Sequence, residues 1–442
     1  KAQNRCCPLN TTSNISTCNL GKQGDLWNPD HQCKEGYIGP LCMICDKSNG
    51  YIRVGDSCDK CEGGADVTGA IVSLVVVCIV LMLVAFLVVR NTGEPKKITI
   101  DKKTDRDHFV GEIVIIISYM QIVSVLARTF SGSVKLPIGF IVYAQGMNAV
   151  NFDLAYIMPY ASCRLSIPYD AKLMLHLITP IGFAISIKIA QLTATFIGKM
   201  GKNPSTKLRL HAQTNQAGTI MMNLGMLLYP SLTTRVFSAF RCVEVEGVGL
   251  RLEGDFSIGC TNDTTGKYGT ITTIAIIGML VYTIGFPLWI VYDLWRHRKS
   301  LHDPKHDDYV LTRLRLGSLY EQYEPFYWFW EPIIILYKML LVGALSVIEQ
   351  HSPVQLFVGF LICSGYLLIV LRSAPYEDES LDKLSFFTSI SLAMTLLLCL
   401  IKGMDEHRAQ RELVNYDEKP WEIDNDTLST VLVCLNILPF IY

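Results

Sequence analysis

The chain has 442 residues, half of them hydrophobic and 18% Asp, Glu, Lys or Arg, with 39 basic against 40 acidic residues for a net charge of -1. Soluble domains carry about a quarter charged residues, and a balanced charge of this kind speaks against nucleic acid as a partner. Charge-free runs such as 71–89 and 385–401 are long enough to cross, or nearly cross, a hydrocarbon layer about 30 Å thick at ~1.5 Å per residue, which predicts a multi-pass membrane protein.

The first residue is Lys1 and the last apolar run, 428–442, is shorter than a full span, so the sequence reads as a window on a longer chain. Residues 1–65 are predicted to form an extracellular cysteine-rich stalk. Eight cysteines lie here, Cys6, Cys7, Cys18, Cys33, Cys42, Cys45, Cys58 and Cys61, an even number, as disulfides require. The last four are spaced C-x2-C-x12-C-x2-C, which also suits a zinc ribbon. Disulfides are the favoured reading. Cys33 joins the same unit, acceptor sequons stand at Asn10 and Asn14, and so short a segment needs covalent staples. The run Gly36-Tyr-Ile-Gly-Pro-Leu-Cys42-Met-Ile-Cys45, followed by Asn49-Gly-Tyr51, resembles a laminin-type EGF module, which implies a stalk element.

Residues 66–442 are predicted to be the transmembrane domain. Hydropathy gives nine spans, near 67–89, 109–127, 173–198, 217–237, 270–295, 327–347, 354–371, 384–401 and from 428 onward, the last one truncated. With the cysteine-rich end outside, the loops placed in the cytoplasm hold 17 Lys and Arg and the longer external loops only 8, as the positive-inside rule requires. Sequons at Asn262 and Asn425 fall in loops placed outside, and the external loop 238–268 holds Cys242 and Cys260, which an oxidising compartment would bridge. Cys163 is the external cysteine left over; it is free, bonded to sequence beyond this window, or a bridge between subunits.

The apolar segment 136–161 is a further candidate crossing, but a crossing there would move Cys242, Cys260 and Asn262 to the cytosol. It is therefore expected to be a re-entrant or interfacial helix. Gln145, Asn148, Asn151 and Asp153 punctuate it, the first three on one helical face. One reading is a pore helix framing an ion pathway; the favoured one is an amphipathic cap held by interhelical hydrogen bonds.

Glu112, Lys188, Glu331 and Lys338 are ionisable groups set in or beside the spans. A charge in lipid costs about 2.5–3.5 kcal/mol even on the gentler scale, so each is expected to face protein, water or a partner. Glu331 and Lys338 are seven residues apart, on one face but two turns distant, and need not pair directly; Glu112 with Lys188 is an equally good interhelical pair. Snorkelling at the cytoplasmic boundary is the alternative for the two glutamates. Thr388, Ser391 and Thr395 form a hydroxyl stripe, read either as a wet pathway or, more commonly, as helix contact.

In the cytoplasmic loop 296–325, His302, Asp303, His306, Asp307 and Asp308 offer metal ligands, although a solvated loop is the favoured account. No metal and no cofactor are expected. The loop ends in Gly317-Ser-Leu-Tyr-Glu-Gln-Tyr-Glu-Pro-Phe-Tyr-Trp-Phe-Trp-Glu331, with seven aromatic residues in eleven, a composition that favours a membrane interface.

This pattern, with Lys338 in the following span and Arg372-Ser-Ala-Pro-Tyr376 after the next, resembles the transient-receptor-potential-like membrane proteins of algae and other protists, and more distantly the fungal ones. Ser118-Tyr-Met-Gln121 with Asn148 and Asn151, Tyr229-Pro230, Phe240-Arg-Cys242 and Asp255-Phe-Ser-Ile-Gly-Cys260 extend the likeness over most of residues 33–400. The resemblance implies ion transport, of cations such as calcium, behind a long ectodomain.

The fold expected is therefore all-α and polytopic, with about nine transmembrane helices, the extra re-entrant or interfacial helix and a small disulfide-rich EGF-like module. The function expected is a cation channel or channel subunit at the plasma or ciliary membrane, coupling force or ligand on the ectodomain to permeation. The rival is a non-conducting anchor or adhesion receptor for a large external structure. Membrane lipids and a homo-oligomer or larger surface assembly are the partners expected. No zincin, Gly-x-Ser-x-Gly or phosphate-loop motif occurs, so an enzyme is not expected.

Overall fold

The computed structural model describes residues 33–39, 42, 44–54, 57–60, 105–130, 134–151, 168–200, 205–245, 249–260, 266–343, 345, 347–348, 352–412 and 424–441. The chain divides into two compact units, one of residues 1–81, 153–176 and 238–275, the other of residues 82–152, 177–237 and 276–442.

The first unit holds the β-structure. Two small antiparallel hairpins, β1 (Tyr37–Ile38) with β2 (Ile44–Cys45) and β3 (Tyr51–Val54) with β4 (Ser57–Lys60), are stapled by the disulfides Cys33–Cys42 and Cys45–Cys58. Gly36 has φ +88°, and a Cβ there would lie 2.4 Å from the Tyr51 ring, so that ring packs where only glycine leaves space. Strands β5 (Cys242–Val245), β6 (Gly249–Leu252) and β7 (Asp255–Gly259) form an antiparallel meander closed by the Cys242–Cys260 disulfide. An Arg241–Glu253 ion pair of 2.8 Å secures its base.

The remainder is mostly helical. In chain order come α1 (Asp105–Phe130), α2 (Ile138–Gly146), α3 (Tyr169–Met200), α4 (Ser205–Ser238), α5 (Lys267–Gly278), α6 (Phe286–His297), α7 (Tyr309–Tyr320), α8 (Trp330–Lys338), α9 (Pro353–Ser373), α10 (Glu379–Glu412) and α11 (Asn425–Ile441). Among the described residues, five helical stretches are long and apolar enough to cross a membrane: Gly111–Phe130, Tyr169–Ile189, Lys267–His297, Pro353–Ser373 and Glu379–Glu406. The expected span at 67–89 lies outside the described residues. The one at 217–237 is helical within α4, yet α4 is not among the five, and α11 is a shorter apolar helix.

The expected span at 327–347 is helical over Trp330–Gly343, although it is not among the five stretches above. Pro325 opens a 3-10 turn over Pro325–Tyr327, α8 begins at Trp330, and after Lys338 the chain passes into a π-helical segment, Met339–Gly343. A second π segment, Met279–Gly285, joins α5 to α6. A π turn is rare in helices and leaves carbonyls to be satisfied elsewhere. The Tyr229 hydroxyl donates to the Thr283 carbonyl at 3.0 Å, inside that segment.

In the second unit the main apolar core joins α1, α2, α8, α9, α10 and α11, with Tyr119, Phe130, Phe140, Leu356, Leu396 and Leu432 among its buried residues. A smaller core sets Tyr229, Ile290, Leu294, Leu316, Tyr320 and Ile335 together, while residues 302–308 of the segment between α6 and α8 are exposed.

Candidate functional site

One turn of α1, Ser118 to Gln121, is the polar hub of the second unit. Tyr119 donates to Asn436 Oδ1 at 2.7 Å, and its Oη lies 2.8 Å from Ser391 Oγ, for whose proton the Leu435 carbonyl competes at 2.7 Å. Asn436, fully buried in α11, donates to Thr395 Oγ1 at 2.8 Å. Gln121, 1% exposed, donates to the carbonyls of Val150 at 3.1 Å and Leu227 at 2.9 Å. Hydrogen bonds of this kind between membrane helices contribute about 0.6 kcal/mol each on average, and at most ~1.7.

Ser118 accepts a 2.8 Å hydrogen bond from Lys338 Nζ. One helical face of α8 therefore sets Lys338 and Glu331, each 5% exposed, on the wall of a single cavity of about 50 Å³. The carboxylate is held from one side only. Tyr323 donates to Glu331 Oε2 at 2.6 Å, and Gln322 donates to Tyr323 Oη at 2.8 Å and approaches the same Oε2 at 3.4 Å. Among the described residues no direct ion pair joins Glu331 to Lys338, and Glu331 Oε1 has no hydrogen-bond partner.

The frame around the carboxylate is built from the two sequence blocks on either side of α9. Tyr323 and Tyr376 form an antiparallel bridge with ring centroids 5.0 Å apart. Glu324 N donates to the Pro375 carbonyl at 2.9 Å and Glu377 N to the Gln322 carbonyl at 3.1 Å. The turn is made by Ala374 in the left-handed region, φ +39°, and closed by Asp382, which accepts from Tyr376 N at 3.0 Å.

The model of the transient receptor potential (TRP) ion channel family matches residues 171–415, more than half of the chain and inclusive of α8, α9 and α10. The chain belongs to the TRP ion channel family. A relative is cysteine repeat modular protein A of Toxoplasma gondii, 26% identical over 199 residues, which are 42% of this chain and 6% of that protein. This chain thus spans only a small part of that relative's length. No solved structure matches the chain.

Within this TRP chain the expected site residues separate. Glu331, Lys338 and Thr388 share the cavity, while Ser391 and Thr395 fasten α11. Glu112 is half-buried and Lys188 exposed, and neither lines the cavity. In the 136–161 segment, α2 and a 3-10 turn over Met147–Asn151 are formed. Asn151 is buried and donates to Ser124 Oγ at 2.6 Å, whereas Gln145 is exposed. Asp153 and the Asn148 side chain lie outside the described residues, as do Asn10, Asn14, Asn262, Cys6, Cys7, Cys18, Cys61 and Cys163. Asn425 is exposed at the start of α11. The composition of the spans did not single out Asn436, which only its place in an apolar run marks, or Gln355, buried with its amide donating to the Leu345 carbonyl at 2.9 Å.

Between α6 and α8 the polar groups serve the fold. Arg315 pairs with buried Asp293 at 2.5 Å, Arg313 with Glu321, and His297 Nδ1 lies 2.9 Å from the Asp293 carbonyl. Partly exposed His302 meets the Tyr320 ring edge-on at 5.1 Å. Burial there pushes its imidazole below the ordinary value, against a smaller opposite pull from Glu377. Among the described residues no group of three His, Cys, Asp or Glu is arranged to hold a metal ion.

Proposed function

We propose that this chain is the membrane part of a TRP-like cation channel or channel subunit at the cell surface. The observation that carries the reading is the TRP family match over residues 171–415. In this reading nine spans cross the plasma or ciliary membrane, with the disulfide-stapled module and the Cys242–Cys260 meander outside and the α6–α8 segment in the cytoplasm. The asymmetry of 17 basic residues against 8 supports that sidedness. Calcium and related cations are the permeant species proposed, in a homo-oligomer whose ectodomain passes force or ligand binding to the spans; Gln145, Asn148, Asn151 and Asp153 frame the pathway or cap it.

A second reading is favoured by one observation. The Toxoplasma relative is named for cysteine repeats, and the matched stretch is 6% of its length. A chain so dominated by other sequence suits a non-conducting anchor for a large external structure.

Reconstitution of the purified chain in planar bilayers separates the two. Cation-selective openings under voltage, tension or calcium steps are expected for the channel. A silent bilayer, from protein whose correct insertion is verified by protease protection, overturns it.

A further inference from the structure

We infer that the cavity between Glu331 and Lys338 is a binding site for a small zwitterion, a compound with an ammonium and a carboxylate joined by a short methylene or methine spacer. Several observations converge on that chemistry. Both charged groups are 95% buried, yet no direct ion pair joins them. Each keeps unused hydrogen-bonding capacity: Glu331 Oε1 has no partner among the described residues, and Lys338 spends one of its three donors on Ser118. Two opposite charges with spare donors and acceptors on the wall of one cavity suit an occupant that carries both complementary charges.

The volume sets the size of that occupant. About 50 Å³ has room for roughly three to five water-sized positions at ~10–15 Å³ each, which a molecule of a few heavy atoms fills. The walls set its character. Ile115, Ile122, Ile334 and Leu392 give the lining apolar surface, beside the hydroxyls of Ser118, Ser385, Thr388 and Ser389. A short hydrocarbon spacer meets those walls favourably, while its ammonium reaches Glu331 Oε1 and its carboxylate reaches Lys338.

The inference does not rest on conduction. Its test is equilibrium binding of radiolabelled glycine, β-alanine and γ-aminobutyrate to the full chain in nanodiscs, with propionate and propylamine as probes that carry one charge each. Saturable binding of at least one zwitterion at concentrations up to ~10 mM is expected, with neither single-charge probe competing at equal concentration. Lys338→Met and Glu331→Gln should each weaken binding about 10- to 100-fold, the loss of one charge-assisted contact. Since either substitution also threatens folding, Leu392→Phe, which fills the apolar middle and leaves both charges, is expected to abolish binding while thermal unfolding is retained. Absence of saturable zwitterion binding to the wild-type chain, equal binding of propionate or propylamine, or unchanged binding in folded Leu392→Phe protein each overturns the proposal, and the first outcome identifies the occupant as water only.

Discussion

Replacing Gln121 by methionine keeps the length of the side chain and removes its amide. In the structure that one amide serves two carbonyls on different elements, Val150 at the end of the 3-10 turn after α2 and Leu227 in α4. At about 0.6 kcal/mol per interhelical bond, rising to ~1.7 at most, the two contacts together contribute about 1–3 kcal/mol. Leu227 is a mid-helix carbonyl with a helical partner of its own, so the larger share of the loss falls on Val150, and the expected cost is about 1–2 kcal/mol, felt mainly in residues 138–151. Unfolding of the reconstituted chain in mixed micelles of rising SDS fraction measures the total, and amide exchange locates it: α2 and its 3-10 turn should exchange about 5- to 30-fold faster, while α9 and α10 stay unchanged. If Gln121→Met matches the wild type in both measurements, the amide is not what holds the cap, and the interhelical-glue reading of the 136–161 segment is wrong.

Three further outcomes are expected. Removing the Cys242–Cys260 bridge by a double Cys→Ala change releases a loop of sequence separation 18 and should cost about 3 kcal/mol of meander stability, read as earlier proteolysis of 238–268 and insensitivity to reductant. Ala374→Gly relieves a left-handed alanine at φ +39° and should raise stability by about 1 kcal/mol, measured in the same SDS titration. Partial burial of His302 lowers its folded-state value below its unfolded one, against a smaller opposite pull from Glu377. Stability of the α7 region should be level above the ordinary histidine value of about 6.5, fall as pH drops through it, and level off below the folded value. Amide exchange of Tyr309–Tyr320, corrected for intrinsic rates, should show that slope in the wild type and lose it in His302→Phe.

The apolar runs, the cysteine pattern and the positions of ionisable groups were legible because each obeys a local rule. Hydropathy marked α1, α3, α5–α6, α9 and α10 at once, the even count of amino-terminal cysteines pointed to disulfides that the structure places at Cys33–Cys42 and Cys45–Cys58, and a shared external loop pointed to Cys242–Cys260. Ser118-Tyr-Met-Gln121 was visible as a block carrying resemblance, but not its work: Ser118 receives Lys338, Tyr119 holds Asn436 and Gln121 holds Val150 and Leu227. Those partners lie far along the chain, and no periodicity within α1 reports them. Hydropathy averages over a window and is blind to helix type, so the passage from α to π after Lys338 has no sequence signal. Glu331 and Lys338 were placed on one face by spacing alone, while the aromatic block's tie to Arg372-Ser-Ala-Pro-Tyr376, through Tyr323 and Tyr376, depends on a tertiary contact that spacing does not encode.

The two π segments carry a consequence for how these helices tolerate change. An α-helix turns ~100° per residue, so the wider turn at Met279–Gly285 re-clocks everything after it. The side of α6 that buries Ile290, Asp293 and Leu294 is thereby set independently of the side of α5 that precedes it. Single-residue deletion within 279–285 would reset that phase and swing Asp293 away from Arg315. In α8 the ordering is reversed: the widened turn follows Lys338, so the Glu331–Lys338 face is fixed before the phase shifts, and the residues beyond Gly343 are free to be aimed elsewhere without disturbing it.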